Sequence, residues 1–213
     1  KYEKVNWYKA RGPIFARYKI YKLFYNNELY YLQIDSHTRF IKNWDEELIN
    51  MLTTLPVKSI ISTYPNGYKI GNNNLNVKSK MNIIKFKKIK DGIPIFTSIK
   101  ENLKEPKKNL FWAAGFSFSY GFIFKLIKID PYLKNLFWGE EFLMSLRFYT
   151  NGIHIFTPHK NIVFTLWDRE YRHTFWEIKN RNLLKFNLLN FLSKGRLFAI
   201  SNLNRTSLFE DKI

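Results

Sequence analysis

The run Leu29-Tyr30-Tyr31-Leu32-Gln33-Ile34 constrains this chain more than any other stretch. Short, aromatic and branched, it reads as a buried strand, and it stops abruptly at the polar group Asp35-Ser36-His37. Alternate positions at a strand end project to one side, so a carboxylate and an imidazole spaced as Asp35 and His37 are can share one divalent cation. The triplet alone is ordinary, since most D-x-H sequences are a solvated aspartate with a surface histidine beside it. Its setting gives it weight: open α/β sheets bind ligands at the carboxyl ends of their strands, and a cation there neutralises a leaving diphosphate.

The remaining chain supplies the partners such a strand needs. Asn43 stands where an N-cap would, Asp45, Glu46 and Glu47 follow in the first turn where the helix dipole favours them, and Leu48, Ile49, Met51 and Leu52 give an apolar face before Pro56 ends the helix. Residues 57–61 read as a second strand closed by a Tyr64-Pro65-Asn66-Gly67 turn, 72–76 as a surface loop, and 83–96 as hairpin material around Asp91-Gly92. Residues 111–118 are strand-like about Gly115. A loop then leads through Asp130-Pro131 to Trp138-Gly139-Glu140-Glu141, where a helix begins that Asn151-Gly152 terminates. Residues 153–156 form a short strand, and 176–197 carry amphipathic helical patterning. With no repeats, this order predicts a single α/β domain over 1–213, in which 176–213 is a C-terminal helical extension.

The chain's 213 residues, 46% of them hydrophobic, are enough for a buried core and exclude a disordered chain. A net charge of +18 raises a basic RNA- or membrane-surface-binding module as a rival reading, with the aromatics available to stack on bases. The lysines are scattered from Lys1 to Lys212 and form no stripe, so no nucleic-acid partner is expected. The absence of cysteine removes disulfides, thiol nucleophiles and zinc–thiolate sites and agrees with a reducing compartment, the cytosol. No signal peptide is expected at the N-terminus, and the longest uncharged stretch, 109–124, falls short of the ~20 residues of a spanning helix.

Two further constellations carry chemistry. In Trp138-Gly139-Glu140-Glu141 the carboxylates accept sugar hydroxyls and the indole covers apolar sugar carbons, although acidic residues at a helix start are common for the dipole alone. In the run from Thr165 to His173, Arg169 and Arg172 are cations able to clamp phosphate oxygens, or members of a solvated connector.

Taken in order, Ala10-Arg11-Gly12-Pro13-Ile14-Phe15-Ala16-Arg17, Tyr31-Leu32-Gln33-Ile34-Asp35-Ser36-His37-Thr38-Arg39-Phe40, Ala114-Gly115-Phe116-Ser117-Phe118 and Trp138-Gly139-Glu140-Glu141 resemble the cytoplasmic polypeptide N-acetylglucosaminyltransferases that modify hydroxyproline on the F-box ubiquitin-ligase adaptor. More distantly, they resemble the mucin-type polypeptide GalNAc-transferases. The likeness spans 10–173. It implies a GT-A fold, a Rossmann-like mixed sheet flanked by helices, a UDP-sugar donor, a protein acceptor, retention of anomeric configuration, and a divalent cation, manganese first and magnesium as the alternative. On the same basis Asp35 and His37 match the metal- and diphosphate-holding motif, and Glu141 the carboxylate on the transferred sugar. Arg11 and Arg17 match the arginines beside the nucleotide, Gly115 the glycine that leaves room for the sugar, Trp138 the donor-side indole, and Arg169 the loop over the donor. The chain departs from the family twice. The place of a third, histidine ligand, seven residues after Pro158, is Thr165, so the third ligand is Thr165 itself, water, His159 or His173. The family's first nucleotide-binding strand should precede Lys1. The expected activity is GlcNAc transfer from UDP-GlcNAc to a protein hydroxyl, of hydroxyproline or Ser/Thr. An inactive or truncated homologue that binds a protein partner is the alternative.

Overall fold

The pentapeptide Phe116-Ser117-Phe118-Ser119-Tyr120 shows how the molecule is layered. In the computed structural model its first four side chains are all buried, the phenylalanines in one hydrophobic cluster and the serines on the opposite face, where the Trp112 indole donates to Ser117 Oγ at 2.8 Å. A strand covered on both faces belongs to a sheet with material on either side. The structure describes residues 2, 4–6, 10–71, 75–90, 93–127, 129–131, 133 and 137–168.

In chain order the elements are α1 (Pro13–Phe24), β1 (Tyr30–Ile34), β2 (Thr38–Phe40), α2 (Trp44–Thr53), β3 (Ser59–Ser62), β4 (Asn66–Gly67), β5 (Met81–Lys90), β6 (Ile93–Glu101), β7 (Lys107–Asn109), β8 (Phe116–Tyr120), α3 (Phe122–Leu126), α4 (Glu140–Thr150), β9 (His154–Thr157) and β10 (Val163–Thr165). The central sheet runs β1-β8-β3-β9-β7. Because β8 is antiparallel to both β1 and β3, those two point the same way, and β9 lies parallel to β3. The carboxyl ends of β1, β3 and β9 therefore share one side of the sheet with the start of β8. Strands β2, β10 and β4 form a small second sheet there, and β5 and β6 a separate hairpin.

Adjacent residues on β3 face different cores. Ile60 joins Ile14 of α1, Trp112, Phe124 of α3, and Leu143, Met144 and Phe148 of α4, whereas Ile61 joins Leu48, Met51 and Leu52 of α2 with Phe116 and Phe118. Trp112, Phe116, Phe124 and Phe148 are essentially inaccessible, each worth about 2–3 kcal/mol of burial. Among the described residues no helix is long and apolar enough to cross a membrane.

Several sequence expectations change here. The strand before Asp35 is half-buried and not buried, with only Gln33 withdrawn from water, because β1 forms an edge of the described sheet. Asn43 does precede α2, but in a left-handed conformation (φ 57°) with no side-chain cap bond. Asn66-Gly67 is a two-residue parallel strand on β10 and not the close of a turn. Residues 111–115 form a loop, and β8 starts only at Phe116. The C-terminal helices expected over 176–213 lie outside the described residues, as do Asp91, Gly92 and 72–74.

Candidate functional site

Polar residues reach the carboxyl end of β1 through hydrogen-bonded turns. The Asp35 amide donates to the Gly115 carbonyl at 3.3 Å, and the Thr38 hydroxyl to the Asp35 carbonyl at 2.6 Å. Beyond β10, the Leu166 amide donates to the His37 carbonyl at 3.0 Å. This leaves Asp35 Oδ2 3.9 Å from His37 Nε2. A Cβ placed on Gly115 would stand 3.1 Å from Asp35 Oδ2, so only glycine leaves that carboxylate its full clearance.

The facing wall is the start of α4. Gly139 adopts φ 99°, a conformation costly for any residue with a Cβ, and the turn places Glu140 and Glu141 in the first helical turn. Glu140 is buried and bonded by Arg17 Nη1, while Arg17 Nη2 donates to Asp35 Oδ1 at 3.1 Å. One guanidinium from α1 thus bridges carboxylates of the β1 end and α4. Burial pushes the Glu140 carboxyl upward, opposed by Arg17 and reinforced by the like charge of Asp35. Glu141 accepts the Tyr64 hydroxyl and, at 3.0 Å, the Ala114 amide. Its withdrawal from water raises its pKa to about 7 even though both of those hydrogen bonds favour the carboxylate.

Between the walls lies a cavity of about 820 Å³, large enough for a nucleotide-sugar-sized ligand. Trp138, 60% exposed, and Trp167, 49% exposed, give it two accessible indoles. Trp167 is fixed by donation to the Pro65 carbonyl at 3.1 Å and by its close approach to Gly67.

Of the residues singled out from sequence, Asp35, His37, Arg17, Gly115, Trp138, Glu141 and Thr165 line this one cleft. Arg11 does not. It is exposed, its guanidinium 5.7 Å from the centroid of the Phe15 ring. His159 follows β9 off the cleft, near Lys160 and Glu47, with burial lowering its pKa. Arg169 and His173 lie outside the described residues. Sequence reasoning missed Tyr64, assigned to a turn, and the pairing of Glu140. Tyr64 was findable by the argument used for Asp35, as a polar side chain just past the carboxyl end of a buried strand.

Among the described residues no three His, Asp or Glu side chains gather around one point. Two do: the 3.9 Å between Asp35 Oδ2 and His37 Nε2 is within the ~4.2 Å that two bonds of ~2.1 Å span. A cation that takes its other ligands from a bound diphosphate and water fits this donor set.

A mixed sheet flanked by helices, with acid groups, an imidazole and indoles over the carboxyl ends of its parallel strands, defines a GT-A-type glycosyltransferase fold. The same fold occurs in a crystal structure of GalNAc-T7 with UDP, GalNAc and Mn2+, 15% identical with a TM-score of 0.55, over 75% of this chain and 31% of that one. This chain thus spans about a third of that relative's length. The model of the family described as Glycosyltransferase (GlcNAc) matches residues 1–207, and the chain belongs to that family. No curated protein matches it.

Proposed function

We propose that this domain is a metal-dependent retaining glycosyltransferase that moves GlcNAc from UDP-GlcNAc to a protein hydroxyl, of hydroxyproline or of Ser/Thr, with a ubiquitin-ligase adaptor as one acceptor and the cytosol as the compartment. The observation that carries the reading is the meeting of Asp35 and His37 with Glu141 across one cleft. Asp35 and His37 would hold a manganese or magnesium ion, which would supply charge neutralisation for the departing UDP. Gly115 leaves space beside Asp35, and Trp138 and Trp167 offer aromatic faces for apolar sugar carbons. Glu141 orients the sugar by accepting its hydroxyls, its own geometry set by Tyr64 and the Ala114 amide. The acceptor oxygen bonds to the anomeric carbon on the face from which UDP leaves, the bond from that carbon to the β-phosphate oxygen breaks, and the hydroxyl proton passes to the departing phosphate. Such a reaction depends on positioning and charge more than on a strong base.

A second reading, an inactive homologue that binds a partner, is favoured by Thr165, a buried hydroxyl where imidazole is expected, and by Arg17 already engaging Asp35. Assay of a panel of UDP-sugars with hydroxyproline and threonine peptides, with Mn2+ or chelator, separates the two. Asp35→Ala should abolish metal-dependent donor binding. Unchanged metal-dependent affinity in that variant ends the metal assignment, and no turnover of any donor by the parent favours the inactive homologue.

A further inference from the structure

Six residues of one strand, Pro94, Ile95, Phe96, Thr97, Ser98 and Lys100, border the cleft. Five are consecutive and so include both side-chain parities of β6. Both faces of that strand are otherwise engaged: Ile95 packs on the core that holds Phe148, and the Phe96 ring lies 4.5 Å from that of Phe111. The cleft therefore runs along β6 on both sides and takes in its outer edge, while Asn82, bonded by Ser98 Oγ at 3.3 Å, is the one described residue of β5 that borders it. Among the described residues β6 pairs with β5 alone, leaving a row of backbone N–H and C=O groups along the opening. Pro94, which has no N–H, limits further pairing to the residues after it.

The hairpin is also basic. Residues 81–101 hold five lysines, Lys85, Lys87, Lys88, Lys90 and Lys100, against Asp91 and Glu101. All five lysines are exposed, and Glu101 is taken by Lys107 at 2.6 Å. Lys85, Lys87, Lys88 and Lys90 stand on β5, one strand in from the unpaired edge, and Lys100 on β6 itself, so the charge lies within the reach of a lysine side chain from that edge.

We propose that an extended, acidic peptide segment adds as a third strand to the outer edge of β6, its acidic side chains matched to the hairpin lysines, and so presents its hydroxyl to the cleft. The inference rests on the transferase reading for its outcome and names the acceptor that site takes. Strand addition gives affinity through the main chain, side chains and charge give selectivity, and an extended acceptor on this edge borders the same cavity as Asp35 and Glu141.

The test uses the whole chain and labelled ten-residue peptides with a central hydroxyproline or threonine. One peptide is flanked by Asp and Glu, one by Lys. Two acidic versions carry backbone N-methyl groups at alternate residues, one of each parity. Fluorescence anisotropy should show the acidic peptide bound at least about tenfold more tightly than the basic one, with the gap closing as salt rises. One N-methyl parity should weaken binding about tenfold and the other little, because only alternate N–H groups face the edge. Lys88→Glu with Lys90→Glu, both exposed positions, should cost the acidic preference without changing the thermal melt. Equal binding of both N-methyl versions and the parent overturns strand addition, and charge reversal without effect overturns the acidic preference. Self-association of the chain with no peptide bound would assign the edge to a second copy and overturn it too. Donor transfer is followed in the same samples. Peptide bound with these dependences but never glycosylated leaves the docking edge standing and defeats the transferase reading, whereas glycosylation indifferent to charge and N-methylation does the opposite.

Discussion

Arg17 is bonded to both Asp35 and Glu140, so its removal leaves a buried carboxylate without a counter-charge. Arg17→Ala should lower stability by about 3 kcal/mol, read from urea denaturation, with Glu140 turning protonated to escape the penalty. Glu141 makes a prediction of opposite sign. Its pKa of about 7 lies above the 4.5 of a free carboxyl, so the fold favours its protonated form. Its contribution to stability is full below about 4.5 and is lost as pH rises through about 7. Glutamine can still accept the Ala114 amide and meet the Tyr64 hydroxyl, so Glu141→Gln at pH 8 should be more stable than the parent by on the order of 1–3 kcal/mol, a difference that closes by pH 4. Denaturation across that pH range checks it, and sugar transfer should be lost in the same variant. At Thr165, on the cleft wall, a hydroxyl adds little to a metal site that imidazole would complete. Thr165→His should tighten Mn2+ binding about 10–100-fold in calorimetry, by analogy with the loss of a supporting group. Because His159 lies off the cleft, Ala replacement of His173 shows whether another imidazole already fills the role. Asp35, His37 and Glu141 were legible because their residue types announce their chemistry. Tyr64 was open to the same argument but reads as part of a turn, and what the sequence could not show is its bond to a carboxylate 77 positions away.

At the scale of elements, legibility followed length and local pattern. Strand β1 and helix α4 carry their own periodicity and stop signals, and the β5–β6 hairpin pairs neighbours in sequence, so each was visible without tertiary knowledge. Strands β2, β4, β7 and β10 have only two or three residues each and exist because a distant strand supplies their ladder. Asn66-Gly67 is the sharpest case, since its composition reads as a turn while its ladder partners are Phe164 and Thr165. Helix α1 went unread although Pro13 at its first turn was a usable signal, because it lacks a capping side chain and has only Ile14 fully buried. What fixes β4 is an amide network. Asn66 donates to the Lys80 carbonyl at 2.9 Å and to Asn161 Oδ1 at 2.6 Å, Asn161 donates to the carbonyls of Val77 and Ser79, and Asn82 donates to the Tyr64 carbonyl at 2.8 Å. Asn161 is 3% exposed, so Asn161→Ala leaves several buried groups unsatisfied and should cost about 2–4 kcal/mol in urea. It should also weaken donor binding, because Tyr64, whose hydroxyl donates to Glu141, adjoins that segment.

For the molecule as a whole, the order of strand-like and helical segments announced an α/β fold, and the charge was a poor guide. A chain of net charge +18 gathers Asp35, Glu140 and Glu141 around one cavity, while four of its lysines crowd into residues 85–90 of the hairpin. The strand order was beyond reach of the sequence, because no two strands adjacent in the central sheet are consecutive in the chain. Tyr30 faces Tyr120, Ile60 faces Ser119, and Ser59 faces His154. That order has a kinetic consequence. Each of those pairings must first close a loop of some sixty to ninety-five residues, and the entropy of closure precedes any reward from contact. The β5–β6 hairpin closes locally, on a scale of about 1–10 μs, whereas a sheet of this contact order forms in milliseconds to seconds or more slowly. The two walls of the cleft come from segments that meet only when β1 has docked on β8 and α4 has reached Arg17. On the folding path the β5–β6 hairpin therefore closes before the walls of the cleft can meet.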